Sequence, residues 1–164
     1  MKILSSNAHV ITIPIQEHKG LETLFFGLAK EIKCSYLTYM IEYKSCKLYL
    51  TSNEAWKNEL ISNQLMNSCP IYDNAFKALE RHESIVTIWD TVHHKRGVEK
   101  DIKDYRTSFD IAHGVGLAIS SPEWRESLVL AGKRDDPFFY ERVNSVIIQN
   151  SLSKFRTFIA SRKI

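Results

Sequence analysis

The side chains capable of chemistry are few and scattered along the chain. His93 and His94 adjoin each other ahead of Lys95 and Arg96. Adjacent histidines in a polar strand turn rarely converge on one metal ion, so no metal site is expected. His113 follows a helical repeat, and in a last helical turn an imidazolium would complement the macrodipole. Cys69 precedes Pro70 with no base or cationic cluster beside it, so its thiol reads as inert. Asp90 and Glu123 have no spacing that pairs them as acid and base. No GxSxG, P-loop, GxGxxG or HExxH signature occurs. Neither catalysis nor a cofactor is expected. The richest remaining resource is aromatic: three Trp, seven Tyr and eight Phe in 164 residues. Trp56, Leu60 and Trp89 are large enough to line a pocket. As core, each would contribute about 1.5–3 kcal/mol by burial. Tyr39 and Tyr43 lie at even spacing. On one face of a strand they would offer hydroxyls to a ligand, or find partners inside a core.

These residues need elements to position them. Leu21, Leu24, Phe25, Leu28 and Ile32 recur at helical spacing between Gly20 and Lys33. CSYLTYMIEY and LYLTS read as a β-hairpin across the polar KSCK. Thr51 and Glu54 have capping-box spacing, which starts a helix near Ser52 or Asn53 with Trp56 and Leu60 on one face. Pro70 opens a second helical piece. SIVTIWD reads as a strand. Val98, Ile102, Tyr105, Phe109 and Ala112 step by helical intervals toward Gly114. GVGLAIS and ESLVLAG form a second hairpin across SPEW. Asp136 and Pro137 make an N-cap and N1 pair for a long helix to about Ser161. Gly114 reads as the left-handed residue that stops the preceding helix. Gly116 permits close approach within its strand. An arm covers residues 1–18, where HVITIPI alternates like a short strand but carries Pro14.

Five strands with hairpin connections cannot form an all-parallel sheet. The expected fold is a PAS/GAF-like α-β-α sandwich around a central, mainly antiparallel five-stranded sheet. The net charge is +3, too weak and mixed for a nucleic-acid surface. The basic C-terminal residues Lys154, Arg156, Arg162 and Lys163 read as a solvated helix face. Three cysteines without CxxC spacing suit reduced thiols in a cytoplasm. No signal peptide or membrane span is read.

The segments YKSCKLYLTSNEAWKNEL, IVTIWD, YRTSFDIAHGVGLAI and VNSVIIQNSLSKFRTFI, in that order and spacing, resemble the N-terminal sensor domain of LuxR-type transcription regulators. These are the autoinducer-binding proteins of bacterial quorum sensing. The resemblance covers about residues 19–160, so residues 19–164 are expected to form one sensor-like domain. It implies that Trp56 is the ring-contacting tryptophan, that Trp89 is the tryptophan of the third strand, and that Gly114 is the corner glycine. Binders of acyl-homoserine lactones in that family carry a tyrosine one turn before the first tryptophan and another one turn after. They also carry an aspartate just before a proline. Here those positions hold Ser52, Leu60 and Cys69. A neutral thiol is a far weaker acceptor than a carboxylate.

The resemblance therefore implies a small apolar or amphipathic ligand that is not a simple acyl-homoserine lactone. The alternative is a ligand-free interaction module that modulates a full-length regulator. A cavity of several hundred Å³, as small-molecule sites usually have, would separate the two. The chain ends at Ile164 where the family's helix-turn-helix would follow, so a stand-alone form without direct DNA binding is expected. Ile148, Leu152, Phe155 and Ile159 form a stripe on the last helix. They either pair with a second helix, in a homodimer or a heterodimer with a LuxR-type regulator, or pack on the protein's own sheet.

Overall fold

A computed structural model describes residues 9–11, 19–43 and 46–161. Helix α1 (Lys19–Ile32) buries Leu21, Phe25, Leu28 and Ile32, the face its periodicity predicts. It stops where Lys33 takes a left-handed φ of 55°. The Arg142 side chain closes the end, donating Nε–H to the Ile32 carbonyl at 2.7 Å and Nη2–H to that of Lys33 at 3.2 Å. Strands β2 (Tyr36–Tyr43) and β3 (Cys46–Thr51) form the first hairpin. Of the expected arm, only β1 (His9–Ile11) lies within the described residues, running parallel to β3.

Helix α2 (Glu54–Ser62) starts at Asn53, whose Oδ1 accepts the Trp56 N–H at 2.9 Å. A 3-10 turn (Leu65–Ser68) leads to α3 (Pro70–Leu79), with Pro70 in the first turn, where a missing N–H costs nothing. Strand β4 (Ser84–Ile88) follows. Next come a 3-10 turn (Trp89–Thr91), α4 (Val98–Thr107), β5 (His113–Ser120) and β6 (Trp124–Gly132). The chain continues through α5 (Phe139–Arg142) and α6 (Ser145–Ser161).

The six-stranded sheet has the order β1-β3-β2-β6-β5-β4. The five hairpin strands are antiparallel, as expected, and β1 adds a short parallel edge. Strand alternation sorts the side chains to two faces. Leu37, Tyr39, Leu128 and Leu130 meet α1 and α6 on one side. Tyr36, Val129 and Ala131 meet Trp56, Ile71, Trp89 and Ile102 on the other.

Four expectations are corrected. The long helix from Asp136 is broken: Val143 is extended, and α6 begins behind Asn144, whose Oδ1 accepts the Val146 N–H at 2.8 Å. Asp136 does accept the Phe138 N–H, but its carboxylate is drawn to Arg142. Helix α4 ends at Thr107, short of Gly114. The left-handed residue after it is Asp110 (φ 60°), whose carbonyl accepts the Ser35 hydroxyl. Gly114 is therefore a strand residue and not a helix cap. His113 likewise opens β5 and does not sit in a last helical turn. Trp89 lies just past β4, in the 3-10 turn.

The α6 stripe is core. Ile148, Leu152, Phe155 and Ile159 are buried against α1 and the sheet. Phe155 stacks on Tyr39 with ring centroids 4.8 Å apart. Beside them Glu126 is 2% exposed. It accepts the Tyr39 hydroxyl at 2.8 Å and the Arg156 Nε–H at 2.7 Å, with Arg156 Nη2 on its other oxygen. Arg156 is thus the counter-charge of a buried carboxylate and not merely part of a solvated basic face. Phe155→Ala should cost about 3–5 kcal/mol, the usual loss for a buried phenylalanine. Urea denaturation measures it. A variant of unchanged stability but altered sedimentation mass would return the stripe to a pairing surface.

Candidate ligand-binding site

The site grows from a glycine. A Cβ built on Gly114 would lie 2.2 Å from two atoms of the Trp89 indole. Only a residue without a side chain lets the ring close onto β5. The corner is tied further. The Gly114 N–H donates to the Tyr140 hydroxyl at 3.1 Å. His113 Nδ1 meets Asp90 Oδ2 at 2.7 Å, and its Nε2 donates to the Arg134 carbonyl at 3.1 Å. Burial opposes charging of His113. The Asp90 hydrogen bond, the Arg134 carbonyl and the Asp90 charge outweigh it, so its pKa is raised above the ordinary 6.5.

Gly116 behaves differently. A Cβ there would stand 3.9 Å from Trp89 Nε1 and from Val129 Cγ2, an ordinary contact. This glycine floors a cavity of about 80 Å³ between α3 and the sheet, well short of the several hundred Å³ expected of a ligand site. Its walls are Ile71, Tyr72, Ala75, Phe76 and Leu79 from one side and Met40, Ala118, Val129 and Trp89 from the other. The lining is mainly apolar. Trp89 is 6% exposed, and its indole N–H has no partner among the described residues. A buried donor left unpaired costs about 1–3 kcal/mol.

Sequence reasoning missed Arg106. It is 4% exposed, and its guanidinium carbon sits 4.7 Å from the centroid of the Trp89 ring. Its Nε has no partner among the described residues. Burial pulls its pKa down, while Cys69, Tyr72 and Asp90 oppose the fall. A helical repeat that places an arginine four residues after Ile102 was the available signal, since i and i+4 share a face.

The expected site residues separate into groups. Trp56, Leu60, Cys69 and Trp89 share one apolar cluster. Within it Trp89 lines the cavity, whereas Trp56 packs on Phe109 at 5.3 Å and Tyr105 at 5.9 Å. Gly114 supports Trp89 from β5. Ser52 is exposed, and its hydroxyl oxygen accepts the Leu37 N–H at 2.8 Å. Tyr39 lies on the opposite face, its hydroxyl given to Glu126. Burial, then the Glu126 charge, pushes that phenol's pKa well up. The Tyr43 side chain lies outside the described residues. His94 Nδ1 meets the Val92 carbonyl at 3.1 Å, and burial lowers its pKa.

No protein-family model and no curated protein matches the sequence. Solved structures do match in fold. SdiA in complex with octanoyl-rac-glycerol superposes with TM-score 0.57 at 11% identity, over 88% of this chain and 62% of that one. The ligand-binding domain of VqsR from Pseudomonas aeruginosa gives 0.55 at 13% identity, over 84% and 93% of the two chains. CepR2 from Burkholderia cenocepacia, an N-acylhomoserine-lactone-dependent LuxR-family factor, gives 0.51 at 9% identity, over 79% and 91%. The chain has the fold of LuxR-type ligand-binding domains, and it spans 63% of the length of Escherichia coli SdiA.

The two glycines should respond oppositely to a methyl group. Gly114→Ala displaces Trp89 and should cost at least the roughly 1–3 kcal/mol of an overpacked core. Gly116→Ala should be neutral, or stabilising by up to about 0.5–1 kcal/mol. Denaturant midpoints of the two variants check this; equal losses would refute the placement of Trp89. The His113–Asp90 latch has a definite pH sign. A raised folded-state pKa means its contribution is full below about pH 6.5 and is lost as pH rises through the folded value. Denaturant midpoints measured from pH 6 to 8 should fall more in wild type than in His113→Gln.

Proposed function

We propose that this chain is a small-molecule-sensing domain of LuxR type, acting in transcriptional regulation of the quorum-sensing kind from the cytoplasm. One observation carries the reading: the cavity between α3 and the sheet, with the buried, unpartnered indole N–H of Trp89 in its wall. An apolar recess with few polar groups has the lining of the usual ligand site, and at about 80 Å³ it must widen to admit a ligand. A bound acceptor would relieve the unpaired donor. The shared fold supports the same reading, because relatives of that fold include one solved with octanoyl-rac-glycerol and one named as lactone-dependent.

The ligand is amphipathic and is not a standard acyl-homoserine lactone. The three positions that hold polar lactone contacts in the resembling family are differently employed here. Ser52 is engaged with the Leu37 N–H, Leu60 is core, and Cys69 is a buried thiol. No helix among the described residues is long and apolar enough to cross a membrane. Association with a second copy or with a LuxR-type regulator is retained on the resemblance alone, since the α6 stripe is used internally.

A ligand-free interaction module is the second reading. The observation that favours it is the filled space around Trp56, closed by Phe109 and Tyr105. Thermal denaturation separates the two. Ligand at 100 times its dissociation constant adds about 2.7 kcal/mol, a melting shift of roughly 5–10 °C for a domain of this size. A lipid-soluble extract of the native host should give such a shift, and a panel of acyl-homoserine lactones at high micromolar concentration should give almost none. No shift from any extract, with Gly116→Leu equally stable, would establish the ligand-free module.

A further inference from the structure

The α2–α4 side of the sheet buries a cation without a counter-ion. Arg106 is 4% exposed and forms no ion pair among the described residues. Burying a charge is unfavourable unless it is paired. The groups facing Arg106 are a thiol (Cys69), a phenol (Tyr72) and an indole face (Trp89). Asp90 is the carboxylate whose field reaches it, and that carboxylate is held by His113 at 2.7 Å. Glu126 is committed to Arg156 and Tyr39 on the other face of the sheet. Glu42, whose Oε2 is also buried without a partner among the described residues, lies six residues beyond Tyr36 on β2, roughly 20 Å from Tyr36 by strand rise. Burial keeps His94 toward its neutral form, and its Nε2 is also buried without a partner among the described residues. Two more nitrogens, Arg106 Nε and Trp89 Nε1, share that condition.

The cavity meets this cation through Trp89 and Tyr72, which line it. The Arg106 carbon is 4.7 Å from the Trp89 ring centroid. An acceptor hydrogen-bonded to Trp89 Nε1 therefore lies within about 10 Å of the guanidinium. At an effective dielectric constant of about 20, the Coulomb attraction of a unit negative charge there is worth roughly tenfold in affinity, against which stands the cost of desolvating the carboxylate.

We propose that the cavity takes an amphipathic monocarboxylate, its apolar body along β5 and β6 and its carboxylate on the Trp89 indole N–H, in the field of Arg106. This rests on reading the cavity as the ligand site. The carboxylate sets a negative charge in the field of Arg106 without touching it. A lactone or a monoacylglycerol would satisfy the indole N–H but leave the cation unpaired.

The test compares matched acids and amides on the full chain by calorimetry: octanoate against octanamide, phenylacetate against phenylacetamide, and 1-octanoylglycerol as the neutral lipid. The acid of a pair should bind at least about tenfold tighter than its amide. Arg106→Met should remove that preference while leaving amide binding unchanged, and Arg106→Lys should keep it. Cys69→Asp gives Arg106 an internal carboxylate, so it should raise the melting temperature and abolish the preference without deleting the cation. Arg125→Met, which removes the exposed cation that also lines the cavity, should leave the preference intact. Equal binding of acids and amides overturns the anionic ligand and leaves the cavity reading standing. Loss of the preference in Arg125→Met in place of Arg106→Met overturns it too. If no acid, amide or glyceride binds, the cavity reading falls with it. Should Arg106→Met fail to fold, the wild-type ratio and Cys69→Asp decide.

Discussion

The closure of the Trp89 indole onto Gly114 is the contact on which the α2–α4 side of this protein depends. It needs a position with no Cβ in β5 and a chain that leaves β4 in a 3-10 turn. Together these turn a tryptophan inward at the edge of the sheet. Once there, the ring has three separate jobs. Its face carries Arg106, its edge presents a donor to the cavity, and its bulk joins Trp56 and Ile102 in the apolar cluster. The neighbouring Gly116 is loosely packed, and that looseness leaves the cavity its floor. Two glycines two residues apart point to the same face of a strand. One is used for contact and the other for space.

The two faces of the sheet differ in how completely their polar groups are satisfied. On the α1/α6 side, Glu126 is buried yet held by Tyr39 and Arg156, and the guanidinium also lies over the Trp124 ring at 5.1 Å. A satisfied network of this kind rigidifies a core. On the other side, Trp89 Nε1, His94 Nε2 and Arg106 Nε are buried without partners among the described residues. Native proteins keep few such groups, and each calls for an explanation. The asymmetry separates a satisfied scaffold face from the face that holds the proposed site.

Most of the fold was legible in the sequence, because it rests on periodicity. The α1 stripe and both hairpins lie where spacing places them, and α2 starts within the expected range but is capped by Asn53 in place of Thr51. Errors fell where two local signals competed. Asp136–Pro137 is a sound helix start, but Asn144 captures the N-terminus of α6 and restarts the helix. The apolar steps through Phe109 and Ala112 continue a helical pattern, yet Asp110 turns left-handed and the chain enters the sheet, with the Ala112 N–H on the Gly132 carbonyl at 3.0 Å. The α6 stripe was ambiguous because burial against a sheet and pairing with a helix demand the same spacing. The site was legible only as a set of tryptophans. Arg106 was hidden, since a charged residue on a polar helix reads as solvated until the fold places it beneath a ring.

Cys69 and Arg106 are best understood as one departure. In the resembling lactone binders an aspartate precedes the proline at the position of Cys69. A carboxylate there would sit beside Arg106, whose charge Cys69 already faces. It would neutralise the guanidinium from within, and the cation would have no call on a ligand. With a thiol in its place, the buried charge has the indole face and neutral groups beside it, and the only carboxylate whose field is seen to reach it is Asp90, already held by His113. Two half-changes would each be unfavourable: the aspartate without the arginine buries an unpaired anion, and the arginine without the aspartate buries an unpaired cation. The second state is the one this chain holds. On the proposed reading its cost falls when an anion arrives, which would make occupancy of the site and stability of the fold one equilibrium.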